Sequence, residues 1–128
     1  MKNQLLNYML DTYGLEPEYP FMTSPTTAIF RNARNQKWFA VLFEQLSKRC
    51  LGLEEDGTAA VLNLKCDPVM TFSLIDQKKC FRAYHMHKEH WISVLLDSSI
   101  TMEELSFLVD LSYRLVDRRG RPKANKKK

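Results

Sequence analysis

Leu5, Leu6, Met9 and Leu10 recur at helical spacing within residues 2–13, and Gly14 follows where a helix needs a left-handed terminator. The chain should therefore open on a short amphipathic helix. Residues 15–26 contain Pro17, Pro20 and Pro25, which deny the backbone both helix and central strand, so Tyr19, Phe21 and Met22 are expected to pin a loop onto the core. Residues 27–31 and 37–44 are strand-like, and the polar connector Asn32-Ala33-Arg34-Asn35-Gln36 has hairpin composition. In the second strand, simple alternation puts Trp38, Ala40 and Leu42 on one face and Phe39, Val41 and Phe43 on the other. Two apolar faces mark a central strand. Residues 45–57 read as a long surface excursion before a third strand at 58–65.

Asp67-Pro68 supplies a capping carboxylate and a residue preset for the first helical position, with Val69, Met70, Phe72, Leu74 and Ile75 expected to face inward. Residues 79–86 and 91–97 read as a second hairpin, closed by packing of Tyr84 and Trp91. The last helix is marked most clearly: Thr101-x-x-Glu104 is a capping box, and Leu105, Leu108, Val109, Ser112, Leu115 and Val116 form one stripe before Gly120 and Pro122 stop it. Helix, three strands, helix, two strands and helix fit an α+β fold: a single antiparallel sheet of about five strands with helices on one face.

A length of 128 residues suits one core, and 45% apolar residues can fill it without metal or disulfides. The net charge of +4 is less informative than its placement, because residues 118–128 hold seven of the nineteen basic side chains and no acid. The division is a domain over residues 1–117, slightly acidic at −3, and a basic, flexible tail over 118–128. Cys50, Cys66 and Cys80 are odd in number and never in a C-x-x-C pair, so they read as buried thiols of a cytoplasmic protein. The N-terminus has neither a signal-peptide core nor a membrane span, and a monomer is expected.

Phosphate-cradling, dinucleotide, G-x-S-x-G, H-E-x-x-H and EF-hand patterns are all lacking, which argues against an enzyme. The one dense polar stretch is Tyr84-His85-Met86-His87-Lys88-Glu89-His90-Trp91. His85 and His87 could point one way from a strand with His90 or Glu89 nearby, but the spacing is not a standard zinc pattern, and neither metal nor cofactor is expected. A binding role would use Lys78, Lys79, Arg82, Lys88 and the histidines for phosphate, beside Arg31, Arg34 and Lys37 of the first hairpin.

Four stretches carry a resemblance to a known family: Glu18-Tyr19-Pro20-Phe21; Leu62-Asn63-Leu64-Lys65-Cys66-Asp67-Pro68; Tyr84-His85-Met86-x-Lys88-x-His90-Trp91; and Leu108-Val109-Asp110-x-Ser112-Tyr113-x-Leu115-Val116. Together they resemble the MmcQ/YjbR family of small bacterial proteins. That resemblance implies a CyaY-like fold with two projecting hairpins and a proposed double-wing DNA-binding role. Its members usually carry Asn where this chain has His87. Frataxin-like iron-binding proteins share the fold but rely on acids of the first helix, where this chain has only Asp11.

The expected function is non-catalytic DNA binding, with phosphate contacted through Arg31, Arg34, Lys37, Lys79, Arg82, His85, Lys88 and His90. One alternative is an adaptor that holds a peptide in an aromatic and histidine-lined groove; another is a small-molecule enzyme. Convergence of the cations on one face would favour nucleic acid, and scatter around a concave pocket would favour a peptide or small molecule.

Overall fold

The computed structural model describes residues 1–97 and 99–117. Its elements are α1 (Lys2–Tyr13), β1 (Ala28–Arg31), β2 (Trp38–Ser47), a 3-10 turn (Lys48–Leu51), β3 (Thr58–Lys65), α2 (Pro68–Leu74), β4 (Cys80–Arg82), β5 (Trp91–Leu95) and α3 (Met102–Asp117). The strands form one antiparallel sheet in the order β1-β2-β3-β5-β4. The α+β fold expected from the sequence is the one observed. The basic tail, with Gly120 and Pro122, lies outside the described residues.

Local signals fix the helix ends. Gly14 takes φ 68° and donates back to Leu10 and Met9 carbonyls, a geometry that costs an L side chain and suits glycine. Thr101 and Glu104 exchange reciprocal bonds, Glu104 N–H to Thr101 Oγ1 and Thr101 N–H to Glu104 Oε1, each 3.0 Å. α1 and α3 pack on one sheet face, where Leu5, Met9, Leu105, Leu108 and Val109 meet Phe30, Leu42, Leu62, Leu64, Ile92 and Val94. Asp110 on α3 accepts hydrogen bonds from the Tyr8 and Tyr13 hydroxyls, which locks α1 to α3; burial raises both phenol pKa values, and the bonds to Asp110 raise them further.

The other face is also buried, under loops. Ile29, Val41, Val61, Phe81, Trp91 and Leu95 lie beneath Phe21 of the proline-rich loop, Leu51 and Leu53 of the excursion, and Ala83, Tyr84 and Met86 of the β4–β5 connection. That connection is tied down by a buried polar triangle: Asn63 Nδ2 donates to Tyr84 O at 2.8 Å, Ser93 Oγ donates to Asn63 Oδ1 at 2.5 Å, and Tyr84 N donates to Ser93 Oγ at 2.9 Å. Every polar atom of the triangle is thereby partnered away from water.

Several local expectations are corrected. Phe30 pairs with Ala40 but Arg31 pairs with Trp38, so Phe39 is the extra residue of a bulge. Phe39 consequently joins Ala40 and Leu42 beneath the helices, while Trp38 moves to the opposite face beside Phe21. α2 does not bury Val69 or Phe72, which are 77% and 79% exposed, and Met70 is exposed too. The Asp67 cap instead sets the helical phase so that Thr71 faces inward, where its hydroxyl meets Asp67 O and Glu89 O at 3.1 Å each. Leu74 and Ile75 do pack against the core. Of Tyr19, Phe21 and Met22 only Phe21 is half-buried; Tyr19 and Met22 are exposed.

β2 runs on to Ser47 rather than ending near Glu44, and β4 stops at Arg82 because the chain then turns over the sheet, with His85 at φ 58°. Tyr84 and Trp91 do not close a hairpin together: Tyr84 packs edge-on to Phe43 and Trp91 sits beside Lys65. Cys66 and Cys80 are buried thiols as expected, but Cys50 is exposed on the 3-10 turn. Among the described residues no helix is long and apolar enough to cross a membrane.

Candidate functional site

Antiparallel pairing brings the end of β1, the start of β2, the end of β3 and the start of β5 to one end of the sheet. Two cross-strand pairs there follow the same plan. Arg31 is the register partner of Trp38, its guanidinium carbon 5.9 Å from the ring centroid, and Lys65 is the partner of Trp91, its ammonium 5.4 Å from that ring. Such cation–aromatic contacts hold long basic side chains in place while leaving their charge available.

Around these pairs lies an open cleft of about 770 Å3, lined by Arg31, Lys37, Trp38, Lys65, His90 and Trp91, with Asp67 and Pro68 at α2 and Leu115 and Val116 of α3 completing its wall. The backbone beneath is firm: Cys66 N donates to His90 O at 2.7 Å, joining the end of β3 to the start of β5. Asp67 Oδ1 accepts the Val69 N–H at 2.9 Å as the helix cap.

The electrostatics favour an anion. Burial depresses the Lys65 pKa and the nearby Lys37 charge depresses it further. Arg31 pairs with Glu18 at 3.1 Å, whereas Lys37 and Lys65 have no carboxylate ion-pair partner among the described residues. Two ammonium groups that repel one another across a partly desolvated cleft would both be relieved by a negative group between them.

The eight candidate cations and histidines are not brought to one surface. Arg31, Lys37 and His90 meet in the cleft. Arg34 is held at the C-terminal end of α3 by Asp117, through Oδ1 at 2.9 Å and the backbone carbonyl at 2.6 Å. Lys79 is held near the other end by Glu104 at 2.9 Å, about 20 Å away along the helix. Arg82 is exposed on edge strand β4, and Lys88 folds back so that its ammonium donates to Ala83 O. His85 stacks near Tyr84 on a second groove of about 590 Å3, with Phe21, Trp38, Phe43 and Met86.

Trp38 is not among the site residues the sequence singles out, and Lys65 is singled out only as part of a motif stretch, not as a phosphate contact. Lys65 lies inside a motif stretch close to the Asp67 cap, so its sequence context reads as a strand end; its place in the cleft follows from the pairing with Trp91. Among the other motif residues, Asp67, Pro68, His90 and Trp91 line the same cleft, whereas Tyr84, His85 and Met86 line the groove. The catalytic possibilities narrow at the thiols: burial raises the Cys66 pKa and pushes that of Cys80 up to about 12, which suits packing rather than nucleophilic attack.

Known proteins share this arrangement of elements along nearly the whole chain. The chain is 32% identical to the uncharacterised protein YyaQ of Bacillus subtilis (strain 168) over 114 residues, 89% of this chain and 96% of the relative. A crystal structure from Pseudomonas syringae is 34% identical, with a TM-score of 0.82 over 90% of this chain and 97% of the other. A solution structure from the same organism is 30% identical with a TM-score of 0.84, covering 98% and 99%. A Deinococcus radiodurans structure at 24% identity, TM-score 0.71, covering 96% and 83%, shares the fold. The family model described as YjbR matches residues 10–115, nearly all of the described domain, and the chain therefore belongs to the YjbR family.

Proposed function

We propose that this protein is a non-catalytic nucleic-acid-binding module that receives DNA backbone phosphate in the cleft between Lys37 and Lys65. The observation that carries this reading is the pair of ammonium groups without a carboxylate partner among the described residues, flanked by Arg31 and His90 and walled by Trp38 and Trp91. A domain of net charge −3 still attracts phosphate if its cations are gathered in one concavity, where low-dielectric walls focus the field. Trp38, only half-buried, adds a surface on which an unstacked base can lie. The phosphate contact thus shifts from a broad surface of two hairpins to the strand ends, with Lys65 replacing Lys88. A monomer acting in the cytoplasm suits the reading.

Fluorescence anisotropy with labelled single-stranded and duplex DNA tests it. Lys37→Ala combined with Lys65→Ala should lower affinity for DNA and flatten the salt slope by roughly 0.7 to 0.9 for each phosphate that is no longer neutralised. Arg49→Ala, on the 3-10 turn past the opposite end of β2 and paired with Asp56, should behave as the parent. Equal binding by the double variant would remove the reading. The second groove keeps the adaptor reading in play, because its six aromatic, His and Met side chains suit an apolar peptide anchor. Binding of that kind would be lost in Tyr84→Ala and kept in the lysine double variant.

A further inference from the structure

The turn between β4 and β5 gathers a second set of chemically matched groups, of which the phosphate reading uses only His90. His87, Glu89 and His90 each offer one ligand atom, and these lie within 4.8 Å of one another. His87 and His90 are brought together by a tight turn in which His90 N donates to His87 O at 3.1 Å, and their ring centroids are 4.8 Å apart. His85 takes no part: its positive φ and its contact with Tyr84 turn it to the other groove.

The backbone that carries these donors is fixed from three sides. Glu89 O accepts from Thr71 Oγ1 at 3.1 Å, His90 O accepts from Cys66 N at 2.7 Å, and Lys88, which lies between the donors in sequence, donates its ammonium to Ala83 O. The side chains of His87 and Glu89 are exposed and that of His90 is half-buried, so an ion reaches them without opening the fold. The geometry points to a divalent transition-metal site formed by His87, Glu89 and His90, with a further position left to water.

The donor set selects the class of ion. Two imidazoles and one carboxylate suit zinc, nickel or copper, whereas calcium and magnesium require oxygen ligands. Zinc bonds of about 2.0 to 2.1 Å in tetrahedral geometry place ligand atoms roughly 3.3 Å apart, so the three donors must close by side-chain rotation alone. The one interaction exchanged is a long bond, Glu89 N to His87 Nδ1 at 3.3 Å. The site depends on His87 and stands whether or not the cleft takes phosphate.

Titration of the full chain with zinc sulfate, followed by histidine-ring NMR and calorimetry, tests the site. Saturable one-to-one binding should shift the His87 and His90 ring signals and leave those of His85 in place. His87→Asn, an exposed change with little bearing on the fold, should weaken zinc by at least the roughly tenfold that removing even a supporting partner of a ligand costs. His85→Asn should bind zinc as the parent does. Binding that saturates only above about a millimolar, where imidazoles capture metal without a built site, overturns the inference, as does a His87→Asn variant that retains parental affinity or a His85→Asn variant that loses it.

Discussion

Lys65 on β3 faces Trp91 on β5 across the sheet as its register partner, and its ammonium lies 5.4 Å from the indole centroid. The ring excludes water from one side of a charge that Lys37 already disfavours. Under the proposed reading, a negative group beside Lys65 would offset that penalty.

Lys65 is accordingly expected to exchange stability for binding. Its folded pKa is below its unfolded value, so the unfolded state binds more protons in the alkaline window between the two, and stability rises with pH through that window. Lys65→Met keeps the packing on Trp91 and removes the penalty. Thermal unfolding near neutral pH should occur at a slightly higher temperature than in the parent, while DNA affinity falls. A variant that is both less stable and equally binding would show the charge to be structural.

The buried triangle of Asn63, Ser93 and Tyr84 predicts a larger effect on stability. Asn63→Ala leaves the Tyr84 carbonyl and Ser93 hydroxyl without their buried partner, a loss of about 2–3 kcal/mol. Urea denaturation checks it. Combining Asn63→Ala with Ser93→Ala should cost less than the sum of the two single changes, because both remove the same bond.

Lys88 gives the opposite expectation from a phosphate contact. Its ammonium bonds Ala83 O within the connection, so Lys88→Ala should destabilise the protein by about 1 kcal/mol and leave the salt slope of DNA binding unchanged. Chemical denaturation and anisotropy on one preparation measure both.

What the sequence made legible follows from which forces act locally. The Asp67 cap, the Thr101–Glu104 box and the Gly14 terminator are decided within a few residues, and all three are observed where expected. Phe39 and Trp38 could not be placed by alternation, because the bulge that swaps their faces is set by pairing with β1. Val69 and Phe72 read as core by hydrophobicity, yet a seven-residue helix phased by its cap buries Thr71 instead. The cleft was half visible: Arg31, Lys37 and His90 belong to hairpins, but Lys65 joins them only through antiparallel register.

The thiols provide an independent check on burial. Cys50 is exposed, whereas burial raises the pKa of Cys66 and takes that of Cys80 up to about 12. Because the thiolate is the reactive form, one thiol per chain should react rapidly with a disulfide reagent in native buffer, and three in denaturant. Cys50→Ser should abolish the fast phase.

The basic tail and the cleft both attract phosphate, and only the cleft would make DNA binding a property of the fold. Residues 118–128 carry seven cations and no acid, so they should bind any polyanion weakly, with an affinity that falls steeply as rising salt weakens the drive from counterion release. A chain ending at Asp117 keeps α3 and the carboxylate that holds Arg34. It should lose much of its affinity for random duplex and show a shallower salt dependence, yet retain binding that Lys37→Ala with Lys65→Ala then removes. Anisotropy at several salt concentrations, on single and double strands, separates the two contributions. If truncation alone removes all binding at every salt concentration, the lysine pair has no part in DNA recognition, and the aromatic groove beside His85 becomes the better supported site.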